Sequence, residues 1–331
     1  MTTSLPATDW PITFADVEAA RARLAPYLPP TPLRHYAQLD AAVGAGVQVF
    51  VKHENHQPVN SFKIRNGLSF MTALTDDERR RGVVAASTGN HGQGIAYGGA
   101  ALGVETTICV PAKNNPEKNA AMRALGATVV EEGRDYDEAV GVMYRLAAEH
   151  GRVVAHSTND RRIIAGAATM TLEILEQNPT LDALVMAVGG GSQAVGALTV
   201  ARAVAPGLEI FGVQAAGASA GHDSWHARER LTTPRIDTFA EGVATRSTYD
   251  LTFSALLAGL TDFITVTDAE IADGVRTFLS VTHNLVEGAG AVGLTGARKL
   301  RDRLAGKRVG VVISGGNIDI ETLRRILARE I

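Results

Sequence analysis

His53-Glu54-Asn55-His56-Gln57-Pro58-Val59-Asn60-Ser61-Phe62-Lys63-Ile64-Arg65-Asn66-Gly67 follows a β-branched, aromatic run at 47–51, crosses a polar turn with a proline, and opens a helical pattern at Ser61. Lys63 is thereby set at the mouth of a helix. The positive end of the helix dipole and nearby backbone donors disfavour an ammonium there, so the amine spends more time neutral and nucleophilic. A neutral lysine forms a Schiff base with a carbonyl compound. A lysine in a first helical turn equally suits plain solvation, so this segment takes its meaning from the rest of the chain.

To either side, apolar strand-like runs alternate with helical patterns. The runs lie at 83–86, 106–110, 128–130, 153–155, 184–188, 210–213 and 309–313, and helices fit at 14–24, 117–125 and 136–149. Strands this apolar cannot keep one face wet, so the alternation indicates an α/β fold of mostly parallel sheets flanked by helices. A chain of 331 residues exceeds the size at which one core keeps growing, and two domains are expected. With no linker to read, boundaries are inferred near residues 80 and 158. They give a large domain of 1–79 with 159–331 and a small mobile domain of 80–158.

In parallel sheets, ligands gather beyond the carboxyl ends of strands, where loops feed helix N-termini. Ser87-Thr88-Gly89-Asn90-His91-Gly92-Gln93 follows the run 83–86 and precedes a small-residue helix at 94–102. Its hydroxyls, amide and backbone donors form a nest for a carboxylate, and the same letters also suit a helix cap. Gly189-Gly190-Gly191-Ser192-Gln193 follows 184–188 and opens another helix, an arrangement that wraps a phosphate closely. A dinucleotide reading of Gly189, Gly191 and Ala194 needs an acidic residue after the next strand, where Gln214 stands. Ser314-Gly315-Gly316-Asn317 ends the last strand, putting a hydroxyl where it can bond a ring nitrogen.

Composition bounds the partners. The net charge of -3, with no long run of one sign, offers no footprint for nucleic acid or an anionic membrane. The N-terminus lacks a basic segment followed by an apolar core, and no stretch approaches 18 uninterrupted apolar residues, so a cytoplasmic protein with a small-molecule substrate is expected. The single cysteine, Cys109, excludes an intrachain disulfide and a cysteine-rich metal site, and is read as a buried structural thiol. His53 and His56 have no accompanying metal-like spacing and are read as non-ligands.

A lysine at a helix start, an anion nest, a glycine loop and a terminal serine together fit pyridoxal phosphate, held by aldehyde, phosphate and ring nitrogen. Over nearly its whole length the sequence resembles the serine/threonine dehydratase and serine racemase family of fold-type II, tryptophan synthase β-like enzymes. The matching motifs are Ser-Phe-Lys-Ile-Arg at 61–65, Gly-Asn-His-Gly-Gln at 89–93, Ile-Ala-Gly at 164–166, the glycines at 189–191, Glu-Gly-Val at 241–243 and Ser-Gly-Gly-Asn at 314–317. The resemblance implies that Lys63 carries the cofactor and is the catalytic base, with Phe62 packed by the ring. It implies that Asn90 bonds the phenolic oxygen, that Gly189, Gly190, Gly191 and Ser192 hold the phosphate, and that Ser314 meets the pyridine nitrogen. Glu287 matches a family glutamate near the cofactor, and Ser87, Thr88, Gly89, Asn90 and His91 receive the substrate carboxylate. A homodimer or homotetramer is the expected assembly.

The implied reaction is dehydration and deamination of an L-β-hydroxy amino acid, threonine or serine, to a 2-oxo acid and ammonia. Departures from the family qualify this. Thr88 replaces a second serine, which disfavours racemisation. Gln214, Ser219 and Ala220 supply no carboxylates where many relatives bind a divalent cation, so no metal is expected. Asn60 and Asn66 stand where glycine is common, and His156-Ser157-Thr158-Asn159 is unusual; both suggest a shifted substrate side chain, with phenylserine dehydration the alternative, then hydroxyaspartate dehydration or serine racemisation. The nest contributes no cation for a second carboxylate, and Arg65, Arg161 and Arg162 are the basic residues nearest to it in sequence. A cofactor carrier without turnover is the alternative from another class.

Overall fold

The computed structural model describes residues 10–331; the first nine, part of the opening leader, lie outside the described residues. Among the described residues ten strands form two sheets: β1 (Leu33–His35), β2 (Gln48–His53), β3 (Val83–Ala86), β4 (Thr106–Val110), β5 (Thr128–Glu131), β6 (Val153–Val154), β7 (Ala183–Ala187), β8 (Glu209–Ala215), β9 (Asp262–Val266) and β10 (Arg308–Ile313). The six-stranded sheet runs β1-β2-β10-β7-β8-β9 and the four-stranded sheet β5-β4-β3-β6. Every pairing is parallel except that of β1 with β2. Side chains alternate between two buried faces, as their apolar runs require: Leu184 and Met186 enter one core, Val185, Val213 and Val311 the other. The smaller sheet repeats this, with Val83 and Ala85 on one face and Val84, Ala86 and the fully buried Cys109 on the other.

The helix Lys63–Thr72 joins the two sheets. It is clasped by the helices Asn90–Leu102 and Arg161–Gln177 at contacts too close for side chains. A Cβ on Gly94 would lie 2.3 Å from the Lys63 carbonyl oxygen, and one on Gly166 2.4 Å from that of Arg65. Backbone packed on backbone fixes the height and rotation of the turn that carries Lys63. That helix starts at Lys63 and not at the expected Ser61, because Ser61 forms a bridge with Gly315 and the Phe62 N–H donates to the Ser314 carbonyl (3.0 Å). The loop after β3 is also shorter than read: the helix begins at Asn90, so Asn90 and His91 occupy its first turn.

Candidate active site

The carboxyl ends of β3, β7 and β10 open on one cavity of about 770 Å³. Phe62, Lys63, Ser87, Thr88, Gly89, Asn90, His91, Gly189, Gly190, Gly191, Ser192, Glu287 and Ser314, the residues singled out from sequence, all line it. Lys63 is partly open to the cavity. Its Nζ makes no hydrogen bond among the described residues and lies 5.1 Å from the centre of the Phe62 ring. Burial pulls the amine down to about 8, with the Glu287 carboxylate acting the other way. Roughly a tenth of such an amine is neutral at pH 7, against well under a thousandth for an ordinary lysine.

Two sets of backbone donors face this amine's cavity. In the nest after β3, the Ser87 hydroxyl accepts from the N–H groups of Gly89 (3.2 Å) and Gly92 (2.8 Å). Ser87 thus shapes the nest, while the N–H groups of Thr88, Asn90 and His91 have no partner among the described residues. His91 Nε2 lies 3.0 Å from the Ala155 carbonyl, which only accepts, so that nitrogen carries the proton. Burial, helped by the Lys63 charge, pushes His91 down to about 3 and keeps it neutral.

In the loop after β7, Gly191 has φ +99°, a left-handed value that favours glycine, and a Cβ on Gly190 would meet Thr158 Oγ1 at 2.1 Å. The helix Ser192–Val204 starts here, and the N–H groups of residues 189–192 are without protein partners among the described residues. A phosphate dianion fits this donor set and the positive helix end. The Ser314 hydroxyl, at the tip of β10, likewise has no protein partner among the described residues. Amine, anion cradle and hydroxyl thus meet the three handles of pyridoxal phosphate.

Glu287 Oε1 accepts from Asn90 Nδ2 at 2.7 Å. Burial pushes its carboxyl up to about 7, against the Lys118 charge and the Asn90 hydrogen bond, which both act downward.

Some expectations are corrected. Asn60 and Asn66 do not line the cavity, so neither sets the substrate side chain directly. Asn60 has φ +53°, a conformation that asparagine tolerates better than most residues, which accounts for a glycine-like position. None of Arg65, Arg161 and Arg162 lines the cavity either. Arg65 is buried between Glu54 and Glu173, each 2.7 Å away, and Arg162 pairs with Asp160. Four cations that the sequence did not bring forward do line it: Lys113, Lys118, Arg134 and Arg246. Three are ion-paired, Lys118 with Glu241, Arg134 with Glu138 and Arg246 with Asp137. Tyr136, Tyr249, Phe239 and Ile236 supply aromatic and apolar lining that was likewise unread, since they come from segments remote in sequence from Lys63, Tyr136 from the first turn of the helix Tyr136–His150.

A family model described as pyridoxal-phosphate dependent enzyme matches residues 24–315. The chain is 35% identical over 316 residues to an L-threonine ammonia-lyase of Thermotoga maritima, covering 96% of this chain and 78% of that protein. It is 34% identical to an L-threo-3-hydroxyaspartate ammonia-lyase of a Pseudomonas species, covering 95% and 98%. The structure of maize serine racemase superposes with a TM-score of 0.91 at 29% identity, covering 97% and 98%.

Proposed function

This chain belongs to the family of pyridoxal-phosphate dependent enzymes, and from that premise we propose that it dehydrates and deaminates an L-β-hydroxy amino acid, threonine or serine, to a 2-oxo acid and ammonia. The carrying observation is Lys63: an amine with no hydrogen-bonding partner among the described residues, its basicity lowered by burial, in a cavity that also opens on two unused sets of N–H donors. Pyridoxal phosphate, when bound, supplies the electron sink that acidifies the substrate α-carbon. The chain supplies the rest. Residues Gly189 to Ser192 hold the phosphate, Ser314 meets the ring nitrogen, and Phe62 packs beside the ring. The free N–H groups of Thr88, Asn90 and His91 hold the substrate carboxylate. Lys63 Nζ takes the α-proton, its lowered basicity leaving a neutral fraction of the amine to accept it. Thr88 in the nest argues against racemisation.

Residues 80–158 form a small domain that closes over 1–79 and 159–331, and the Lys118–Glu241 and Arg246–Asp137 pairs, which span these segments at the cavity, favour the closed form. No helix among the described residues is long and apolar enough to cross a membrane. Cytoplasmic residence and assembly as a homodimer or homotetramer remain part of this proposal.

A β-aryl-serine is the second reading, favoured by the lining of Tyr136, Tyr249, Phe239 and Ile236. A second carboxylate is disfavoured, because three of the four lining cations are already neutralised by Glu241, Glu138 and Asp137, and stripping water from an unpaired carboxylate costs several kcal/mol. The test is kcat/KM for 2-oxo acid release from L-serine, L-threonine, L-threo-phenylserine and both 3-hydroxyaspartate diastereomers. Threonine or the aryl-serine is expected to lead and hydroxyaspartate to trail. A preference for hydroxyaspartate that disappears in Lys113→Ala would overturn that order, since Lys113 is, apart from Lys63, the lining cation without an ion pair among the described residues.

A further inference from the structure

The cavity wall between Lys63 and β10 holds a run of side-chain amides whose polarity is fixed from one end. Asn317 Nδ2 lies 2.9 Å from the Val59 carbonyl oxygen. A backbone carbonyl only accepts, so the Asn317 atom facing it is the amino group. The same Nδ2 is 2.7 Å from the Asn90 side chain, which must therefore present Oδ1. The other end of the Asn90 amide is then its amino group, and it sits 2.7 Å from Glu287 Oε1. Asn60 Nδ2 closes the far end, 3.4 Å from Asn317 Oδ1, and the Gly316 N–H donates to the Asn60 carbonyl at 2.9 Å. There is no slack in the run: a Cβ on Gly315 would lie 2.6 Å from Glu287 Oε1 and 3.2 Å from Asn90 Nδ2.

An asparagine amide is nearly symmetric in shape and opposite in hydrogen-bonding sense at its two ends. Left alone, Asn90 can offer the cavity either a donor or an acceptor. Here its Oδ1 is engaged by Asn317, one Nδ2 proton goes to Glu287, and the second has no partner among the described residues. We infer that Asn317 is a positioning residue: anchored on the Val59 carbonyl, it holds the Asn90 amide in the one orientation that turns an N–H, and not a carbonyl, toward the phenolic oxygen of the cofactor. The inference rests on the cofactor reading above and adds to it a residue that acts only through Asn90. It also gives Asn60 a task, since its left-handed turn brings both its amide and its carbonyl to the 316–317 segment.

Asn317→Asp keeps the shape and leaves only acceptors, so Asn90 must turn its amino group toward position 317 and its carbonyl toward Glu287 and the cavity. The test is a double-mutant cycle on the full chain freed of cofactor, in which pyridoxal phosphate is titrated into wild type, Asn317→Asp, Asn90→Ala and the double variant and visible absorbance is followed. In the wild-type background Asn317→Asp is expected to raise Kd about tenfold, the loss of roughly one hydrogen bond, and to displace the visible band. In the Asn90→Ala background the same change is expected to move Kd by less than about twofold, because the group it acts through is gone. Equal effects in the two backgrounds, or no effect in the first, would overturn the inference while leaving the cofactor reading intact. Failure of wild type to bind pyridoxal phosphate or to develop a visible band would instead sink the cofactor reading, and this inference with it.

Discussion

Two lysines eleven residues apart, Lys52 at the end of β2 and Lys63 at the start of the next long helix, show how one residue type takes opposite parts. Lys52 is fully buried, and its Nζ donates to the Thr31 carbonyl (2.7 Å), to Glu173 (2.8 Å) and to Gln177 (3.2 Å). Lys63 Nζ has no such partner among the described residues, although the protein closes around it and lowers its basicity. Burial pulls both amines downward, but Glu173 and Glu54 oppose it at Lys52, where only Glu287 does at Lys63. The carboxylates repeat the contrast. Glu54, against Arg65, is held below the usual range, whereas burial pushes Glu287 up to about 7. Where buried charge is compensated it holds β2, the Lys63–Thr72 helix and the Arg161–Gln177 helix together; where it is not, the group is left free to exchange protons.

Substituting each lysine breaks that comparison in opposite ways. Lys63→Ala is expected to abolish the visible band of the bound cofactor and to lower turnover by about 10⁴-fold or more, because one amine serves as both anchor and base. The Tm of the cofactor-free protein should hold or rise, since an uncompensated amine is removed. Absorbance spectra and 2-oxo acid release check the first part, and thermal melts the second. A retained band would exclude Lys63 as the anchor.

Lys52→Ala should do the reverse. It strips a buried partner from Glu173 and leaves Glu54 and Glu173 with Arg65 as their one ion-pair partner among the described residues, a loss on the order of 3–5 kcal/mol of stability. Turnover per folded molecule should stay within a few-fold of wild type. Denaturant unfolding with activity measured on the folded fraction separates the two quantities. A collapse of turnover without a loss of stability would place Lys52 in the chemistry and end the contrast.

How much of this was legible depends on whether a feature is local. The runs 83–86 and 106–110 coincide with β3 and β4 because strands buried on both faces carry no charge and few polar groups, Thr106 and Thr107 being the exceptions. The two edge strands of the larger sheet went unread, whereas β5 and β6, the edges of the smaller one, were read at 128–130 and 153–155. β1 is Leu-Arg-His with two exposed residues, and β9 is a five-residue edge strand opening on Asp262, so neither carries that signature. The anion loops were readable because glycine and hydroxyl residues at a strand-to-helix turn act through their own backbone. Lys63 stood out only through the motif around it, since its difference from Lys52 lies in Glu173 and Glu54 on one side and the cavity lining with Glu287 on the other. Asn317 sat inside a recognised motif with no task assigned, because its partners Val59 and Asn90 are more than two hundred residues away in the chain.

The smallest expected effect is that of metal removal, and it extends the contrast to a neutral group. Gln214 at the end of β8 is fully buried and satisfied at both ends of its amide: Oε1 accepts from the His222 N–H (3.0 Å), and Nε2 donates to Thr245 Oγ1 (3.3 Å). It thus ties the turn after β8 to residues 241–249, whose Gly242 carbonyl lies against Gly189, where a Cβ would be 2.4 Å from it. A divalent cation in that place would need the oxygen that His222 already holds, and neither Ser219 nor Ala220 brings a carboxylate. Chelator treatment, followed by addition of millimolar Mg²⁺ or Ca²⁺, is therefore expected to leave kcat/KM nearly unchanged and to move Tm by less than about 1 °C. A site filled at a hundred times its Kd would instead stabilise by about 2.7 kcal/mol and raise Tm by roughly 4 °C. A shift of that size, together with activity lost on chelation and restored by the ion, would show that the strap after β8 is held by a cation and not by the Gln214 amide.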